Sequence, residues 1–243
     1  IRGGGYISAA INLIEYLTIA TTGNATDFGD LVTAQFGGRS SSSATRCVWG
    51  GGGPSAKNEI QYVEIATTGN AVDFGNLSEG RFTGCSIASQ TRACYVAGEN
   101  SSGTARNTID YVTIATLGDA IDFGNLTETT RNTCAAGSTT RAVRTGGYVE
   151  QATMDYVQIS TTGNAIDFGD TTVAARNEGG AFSSPTRGIL GGGHSPTILS
   201  RIEYVTISSK GNAANFGELN ESKTRHGGWY ISVRVLWGGG YRG

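Results

Sequence analysis

One phrase of sixteen residues constrains this chain more than any other feature, because it occurs five times. The first copy is Ile-Glu-Tyr-Leu-Thr-Ile-Ala-Thr-Thr-Gly-Asn-Ala-Thr-Asp-Phe-Gly, residues 14–29, and later copies begin at Ile60, Ile109, Met154 and Ile202. Its tyrosines lie 46, 49, 45 and 48 residues apart, and its phenylalanines keep these spacings. An internal repeat of this length decides the architecture. We therefore expect one structural unit per repeat, built by the recurring Tyr16, Tyr62, Tyr111, Tyr156, Tyr204, Phe28, Phe74, Phe123, Phe168 and Phe216.

Each copy of the phrase predicts a β-hairpin. Residues 60–65 and 202–207 alternate or carry β-branched and aromatic side chains, which is typical of a strand. A glycine followed by Asn or Asp then predicts a tight turn, since these residues tolerate positive φ. The return strand carries Asp-Phe-Gly.

The rest of each unit predicts two more strands. About seven residues after the Phe comes a basic or polar residue: Gln35, Arg81, Arg131, Arg176 or Lys223. A stretch of small residues, the dipeptide Thr-Arg, a short apolar strand and a glycine run follow. Four strands in about 47 residues are the sequence mark of a propeller blade. We predict an all-β, five-bladed β-propeller that forms a single domain over residues 1–243, with units at 6–52, 53–98, 99–147, 148–193 and 194–240.

In this order of elements the chain resembles the kelch family of propellers. The match runs through Arg81, the small residues 82–89, the apolar strand 93–96, Ala97-Gly98 and the Tyr and Phe strands. The glycine run followed by the Tyr strand is its most specific part. The resemblance implies four antiparallel strands per blade. Two departures are a Phe where kelch repeats usually have Trp, and five units where six or seven are common.

The two termini predict how the ring closes. Residues 226–240 supply two inner strands and residues 11–31 two outer strands, so both termini together would build the closing blade. This would remove exposed sheet edges. However, Ile1–Tyr6 and Leu236–Tyr241 occupy the same phase of the repeat, so both cannot fill one place. We expect one of them to be a linker within a longer polypeptide, as the non-Met first residue also indicates.

Composition excludes several classes of function. The net charge is −2 without a basic cluster, which argues against nucleic-acid binding. No apolar run approaches the ~20 residues of a membrane span. The four cysteines occupy no common column, so we expect buried thiols, although Cys85 and Cys94 could face each other across a hairpin as a disulfide. We expect no cofactor and no metal, because neither His194 nor His226 has a metal-ligand spacing.

Positions that vary between units are the best candidates for a binding site. The residue after each glycine run should lie in a loop on one face, where a partner could dock. We select Tyr6, Glu99, Tyr148, His194 and Tyr241 on this ground, with Gly53 in the remaining copy. Trp49 and Trp237 share a column with Tyr95, Arg144 and Leu190, which predicts either filler between blades or a sugar platform.

Two charged columns are predicted to be structural. The arginines that begin each apolar strand should pair with carboxylates or cap carbonyl groups between blades, with an anion-binding ring as the alternative: Arg46, Arg92, Arg141, Arg187 and Arg234. The aspartates before each Phe should hold the hairpin turn. Calcium binding by Asp27 with Asp30, or by Asp167 with Asp170, is the alternative.

Three functions remain open. The repeated phrase is similar to repeats in structural proteins of large tailed bacteriophages. That resemblance implies a non-enzymatic virion module of a tail, fibre or decoration protein, located in the extracellular particle. It would bind other virion proteins or a host-surface glycan or protein through its loop face, within a larger homo-oligomeric assembly. The alternatives are a multivalent lectin and a glycoside hydrolase with two unique acids at the channel mouth.

Overall fold

The protein is all-β. A computed structural model describes residues 1–148, 152–174, 178–231 and 233–242. Every regular element in these ranges is a strand: β1 (Arg2–Tyr6), β2 (Ala10–Tyr16), β3 (Thr26–Gln35), β4 (Arg39–Ser42), β5 (Arg46–Gly50), β6 (Glu59–Glu64), β7 (Val72–Asn76), β8 (Cys85–Ala88), β9 (Arg92–Val96), β10 (Arg106–Thr113), β11 (Ile121–Thr130), β12 (Cys134–Gly137), β13 (Arg141–Thr145), β14 (Thr153–Gln158), β15 (Ile166–Asp170), β16 (Gly180–Ser183), β17 (Arg187–Gly191), β18 (Arg201–Thr206), β19 (Ala214–Glu218), β20 (Gly227–Ile231) and β21 (Arg234–Gly238).

These strands form six antiparallel sheets. Sheets 2 to 5 are complete four-stranded meanders, made of β4–β7, β8–β11, β12–β15 and β16–β19. Sheet 1 holds β1–β3, and sheet 6 holds β20 and β21. Each complete sheet takes its first two strands from one predicted unit and its last two from the next. The Tyr strand and the Phe strand are therefore the last two strands of sheets 1 to 5, paired as the predicted hairpin.

The sheets have two distinct edges. At the loop edge, the second strand runs into a glycine pair and the fourth strand leaves for the next sheet. At the turn edge lie the Ser-x-Thr turns and the Gly-Asn or Gly-Asp hairpins. Gly51 and Gly52 at the loop edge have φ of 69° and 122°. A side chain strains such a backbone, which explains the glycine pairs.

The core lies between neighbouring sheets. One cluster joins Phe28 and Leu31 of sheet 1 to Val63 and Ala71 of sheet 2. Three further clusters repeat this arrangement around Phe74, Phe123 and Phe168. In each of sheets 1 to 5 the Phe ring also packs edge-to-face on the Tyr of its own hairpin, at 5.7–6.1 Å between centroids. The repeated aromatic residues thus bind successive sheets together.

A set of hydrogen bonds, here called the clasp, reinforces each of these junctions. The clasp hairpin is Gly-Asn-Ala or Gly-Asp-Ala, and the clasp strand is Phe-Gly-Asp or Phe-Gly-Asn of the preceding sheet. Gly69 N–H donates to the Phe28 carbonyl and Ala71 N–H to the Asp30 carbonyl, each at 2.7 Å. In return, Asp30 N–H donates to Asn70 Oδ1 at 3.0 Å. The same three bonds join sheets 2 and 3, 3 and 4, and 4 and 5.

The six sheets do not close into a five-bladed ring. The expected closing blade is not formed, because β1 takes the position beside β2 that β21 would need. In sheet 1, Arg2 of β1 pairs with Glu15 of β2, and Gly3 pairs with Ile14. This is the register of the second and third strands of sheet 2, where Trp49 pairs with Gln61 and Gly50 with Ile60. Strands β20 and β21 form a separate two-stranded sheet. The equal phase of the two termini is the physical reason.

The possible disulfide between Cys85 and Cys94 is also absent. Cys85 pairs with Val96 and Cys94 with Ile87, so the two cysteines are not opposite each other. None of the four cysteines forms a disulfide. Burial raises the pKa of Cys47, Cys85 and Cys94 to about 12.

Candidate functional site

The loop edge carries most of the predicted binding residues. Tyr6, Tyr148 and Tyr241 are 48–63% exposed, and His194 is half-buried. Glu99 lies at the same edge but is only 8% exposed. Residues 149–151, which belong to the loop after Tyr148, lie outside the described residues. The structure therefore places these positions along one edge, one per sheet, rather than in one pocket.

Glu99, Arg131 and Tyr148 form the densest polar group at this edge. Arg131 pairs with Glu99 and donates to the Gly103 carbonyl at 3.0 Å. Its guanidinium lies 4.3 Å from the centre of the Tyr148 ring, and Thr83 donates to Glu99 at 3.2 Å. Glu99 follows β9 of sheet 3, Arg131 lies between β11 of sheet 3 and β12 of sheet 4, and Tyr148 follows β13 of sheet 4. This group spans two sheets and holds an exposed aromatic ring beside a fixed charge pair.

An apolar counterpart lies at the junction of sheets 1 and 2. The rings of Tyr6 and Phe36 meet edge-to-face at 5.2 Å. Phe36 also covers Gly53, where a Cβ atom would lie 2.7 Å from the ring. The absence of a side chain at this copy of the variable position is therefore a packing requirement of Phe36.

Trp49 is a core residue and cannot present a sugar platform in this structure. It is 3% exposed and packs on Gly3 of the preceding sheet. Tyr95 packs on Gly50, and Trp237, half-buried, packs on Gly191 in the same way. This column fills the space between sheets, which is the first of the two roles that the sequence left open.

The column of basic or polar residues that the sequence predicted is displaced by one residue in the third unit. Gly52 N–H donates to the Arg81 carbonyl, Gly98 N–H to the Thr130 carbonyl and Gly193 N–H to the Lys223 carbonyl. Thr130, not Arg131, is thus the equivalent of Arg81. Arg131 aligns with Phe36 and Phe82, since each of these three residues lies eight positions after the Phe of its unit, whereas Arg81 and Thr130 lie seven positions after it. Arg176 lies outside the described residues.

Sequence reasoning missed a column of buried polar residues in the Tyr strand. Gln61, Asp110, Asp155 and Glu203 are 0–1% exposed, whereas the Glu15 side chain in sheet 1 is 37% exposed. Asp110 binds Arg81 at 2.8 Å and accepts from Ser78 N–H at 3.0 Å. Asp155 pairs with Arg144, which also lies 3.3 Å from Glu128. Partial burial raises the pKa of Glu128, and the Arg144 charge opposes that shift.

These acid and amide side chains form hydrogen bonds with the backbone of the preceding sheet. Gln61 accepts from Val32 N–H at 2.6 Å, and Glu203 accepts from Thr172 N–H at 2.9 Å. Asp110 accepts from Ser78 N–H in the same way, so this bond recurs at three junctions. The recurrence of an acid or amide two positions before a Val or Leu was visible in the sequence, but its burial was not.

The repeated arginines connect sheets that are adjacent in the chain. Arg46 donates to the Ile114 carbonyl at 3.1 Å, Arg92 to that of Ile159 at 3.0 Å and Arg141 to that of Ile207 at 2.8 Å. Each also lies 4.5–4.7 Å from the Tyr ring of its own sheet. Arg187 lies 4.8 Å from the Tyr204 ring, and Arg234 is exposed. These contacts are those of carbonyl-capping residues between sheets.

At the turn edge, the repeated aspartates make local contacts with the backbone. Asp27 and Asp122 accept from the N–H groups of Gly29 and Gly124, two residues further along β3 and β11, so these bonds hold the bulge of the return strand rather than the hairpin turn that the sequence predicted. A shallow groove of about 420 Å³ is lined by Ser89, Gln90, Thr91, Arg92, Thr139 and Ser160. Across the described ranges no group of three or more His, Cys, Asp or Glu side chains is placed to hold a metal ion. Nor is there, in the same ranges, a helix suited to crossing a membrane.

The chain matches no protein-family model and no curated protein sequence. The kelch and phage resemblances thus rest on the residues quoted for them.

Proposed function

We propose that this chain is a non-enzymatic binding module of a tailed-phage virion that contacts its partner through the loop edge. The proposal rests on a difference between the constant and the variable positions of the repeat. The constant residues make the contacts between neighbouring sheets, whereas the variable positions Tyr6, Tyr148 and Tyr241 present exposed aromatic rings along the loop edge. Tyrosines of this kind are the usual anchors of protein and glycan contacts.

A propeller-type scaffold fits this use. The small-residue first strands of neighbouring sheets contact one another. We infer from this that the four complete sheets are blades of a kelch-like array with these strands innermost. A rigid scaffold that carries variable loops on one edge is a common way to build a binding surface. A ring of five blades closed by the two termini would require β2 to exchange β1 for β21.

The virion setting draws on the similarity of the repeated phrase to phage structural repeats. Density-banded phage particles from the source of this sequence provide its test. Peptides of this chain should be present in the particle band at a fixed ratio to the capsid protein, and antibodies to the chain should label intact particles. Recovery of the peptides only in the cellular fraction would reject the virion assignment.

The loop edge can be tested separately from the setting. Binding of the labelled chain to host cells or to purified virion proteins should fall when Tyr148 is replaced by Ala. Gln90→Ala, at the turn edge, is the matched control and should leave binding unchanged. Equal loss from both variants, or from neither, would argue against the loop edge.

A lectin is the second candidate, because the Tyr148 ring lies between a fixed Arg131–Glu99 pair and solvent. Aromatic faces beside carboxylate and guanidinium groups suit a sugar ring. A glycan array should then show binding that Tyr148→Ala abolishes. The glycosidase alternative needs two acids free to react, whereas Asp110 and Asp155 are each engaged by an arginine.

A further inference from the structure

Two halves of a clasp lack a counterpart among the described residues. The clasp hairpin of sheet 1 is Gly23-Asn24-Ala25, and its Ala25 is exposed, whereas the counterparts Ala71, Ala165 and Ala213 are 7–8% exposed. The clasp strand of sheet 5 is Phe216-Gly217-Glu218, and a Cβ atom on Gly217 would meet nothing within 4 Å, whereas the four other glycines of this column lie against the hairpin that covers them. Phe216 is 54% exposed, whereas the four other phenylalanines of this column are 1–5% exposed. The Phe216 ring and the hydrogen-bonding groups of its clasp strand therefore face solvent in sheet 5, and the clasp hairpin that would match them faces solvent in sheet 1.

The chain itself defines what fits this surface. Four times, a Gly-Asn-Ala or Gly-Asp-Ala hairpin covers a Phe-Gly-Asp or Phe-Gly-Asn strand with the same three hydrogen bonds. Residues 23–25 have the hairpin sequence, and residues 216–218 have the strand sequence with Glu as the third residue. Glu15 of sheet 1 belongs to the acid column that grips the preceding sheet, and its side chain is 37% exposed.

We propose that the clasp strand 216–218 of one molecule binds the clasp hairpin 23–25 of a second copy, which joins copies head to tail. Phe216 would then be covered as its four counterparts are. Glu218 N–H would donate to Asn24, and Gly23 and Ala25 would donate to the carbonyl groups of Phe216 and Glu218. Within one molecule the two halves do not meet, which favours a second copy over closure by the chain's own ends.

Strand exchange between sheet 6 of the first copy and sheet 1 of the second copy would complete the junction. Strands β1 and β21 have the same phase, and β21 places Trp237 where β1 has Arg2. When β21 of the first copy replaces β1 of the second, β20, β21, β2 and β3 make a four-stranded sheet like sheets 2 to 5. Such a head-to-tail contact produces a closed ring of copies or a filament, depending on its rotation.

Cross-linking between two variants tests the contact directly. At the second clasp, Asn76 Nδ2 and Asp119 Oδ1, the equivalents of positions 218 and 24, lie 3.3 Å apart. Asn24→Cys and Glu218→Cys chains are therefore mixed with a short thiol-reactive cross-linker. Covalent dimers should form in the mixture above the background of wild-type chains. Replacing Asn24→Cys by Ser101→Cys, on an exposed loop, should return the yield to background.

Mass measurements give the second arm of the test. The average mass of the wild-type chain in light scattering should rise with concentration, and Phe216→Ser should weaken association roughly tenfold or more. Because Phe216 is exposed in the single molecule, this variant should keep the wild-type circular dichroism spectrum. A single-chain cross-link in the Asn24→Cys/Glu218→Cys variant at high dilution, without mixed dimers, would establish ring closure and overturn the proposal. A concentration-independent monomer mass without any cross-link would overturn it as well.

Discussion

Gly169 in sheet 4 lies so close to Gly211 in sheet 5 that a Cβ atom on residue 169 would stand 2.6 Å from the Gly211 carbonyl oxygen. The glycine of Asp-Phe-Gly is thus fixed by the neighbouring hairpin as well as by its own φ of 136°. Gly217 has a similar φ of 149° but nothing within 4 Å of its Cβ position. A comparison of Gly169 with Gly217 therefore separates the two reasons for a glycine, the positive φ and the close contact with the neighbouring hairpin.

We expect Gly169→Ala to lower the free energy of unfolding by about 1–3 kcal/mol more than Gly217→Ala, the cost of overpacking a tight contact. Both variants carry the same kind of backbone strain, so the difference measures the junction. Urea denaturation of the two variants checks it. Equal losses would mean that φ alone selects glycine here.

A second prediction concerns the arginines. Arg141→Met should cost about 1.5 kcal/mol more than Arg187→Met, because Arg141 also donates to the Ile207 carbonyl of the next sheet. Both arginines lie over a Tyr ring, and Met keeps the packing of the aliphatic stem. Chemical denaturation of both variants gives the comparison. A greater loss for Arg187→Met would contradict the carbonyl contact.

The buried pair of Arg81 and Asp110 should be costly to break from one side only. Asp110→Ala leaves a buried guanidinium without its carboxylate and should lower stability by about 3–5 kcal/mol. The double variant Arg81→Met/Asp110→Leu should recover most of this loss, since apolar pairs can replace buried ion pairs. Glu15→Ala, in the same column but with a side chain that is 37% exposed, should change stability by less than about 0.5 kcal/mol. A double variant as unstable as Asp110→Ala would show that the pair has roles beyond charge compensation.

Alkaline pH should destabilise the fold through its cysteines. The folded-state pKa of Cys47, Cys85 and Cys94 is about 12 because of burial, against an ordinary value of 9.0. Below pH 9 the thiols are protonated in both states; above it the unfolded chain loses protons first. Each thiol then removes about 1.4 kcal/mol of stability per pH unit up to about pH 12. Urea midpoints between pH 8 and 10.5 should fall, and fall less steeply when Cys94 is replaced by Ala.

Acid should act through His226. Burial lowers the pKa of its ring from 6.5, and Nε2–H donates to the Gly191 carbonyl at 3.1 Å. Because the unfolded chain takes up the proton first, stability should fall as the pH drops below about 6.5. His226→Gln retains an N–H donor and should flatten the change in melting temperature between pH 5 and 7. His194→Gln is the control, and an equal effect of that variant would contradict the assignment.

The hairpins were predictable because they depend on residues that are close in the sequence. Alternation over 60–65 and the Gly-Asn turn specify a strand, a reversal and a second strand without reference to any neighbour. The clasp was not predictable, since Asn70 meets Asp30 across 40 residues and the turn chemistry alone explained the Asn. The burial of Asp110 was hidden for a similar reason: alternation shows two faces, but only the neighbouring sheet decides which is covered.

The candidate site was predicted in part. The variable residues do lie along one edge, but the sequence could not show that Glu99 is buried against Arg131 or that Trp49 is covered by sheet 1. Both outcomes depend on contacts between neighbouring sheets, which the sequence of one strand does not show. The position of Arg131, in contrast, was readable from the sequence: it lies eight residues after Phe123, whereas Arg81 lies seven after Phe74, so Thr130 is the equivalent of Arg81.

Because every clasp joins a sheet only to its neighbour in sequence, the number of units is free to vary during evolution. Duplication or loss of one unit by recombination between the near-identical phrases leaves each remaining junction with the same partners. The uneven spacings of 46, 49, 45 and 48 residues show that the loops have diverged while the joining residues have not. A gene of this design can therefore lengthen, shorten and diversify its surface without inventing a new interface.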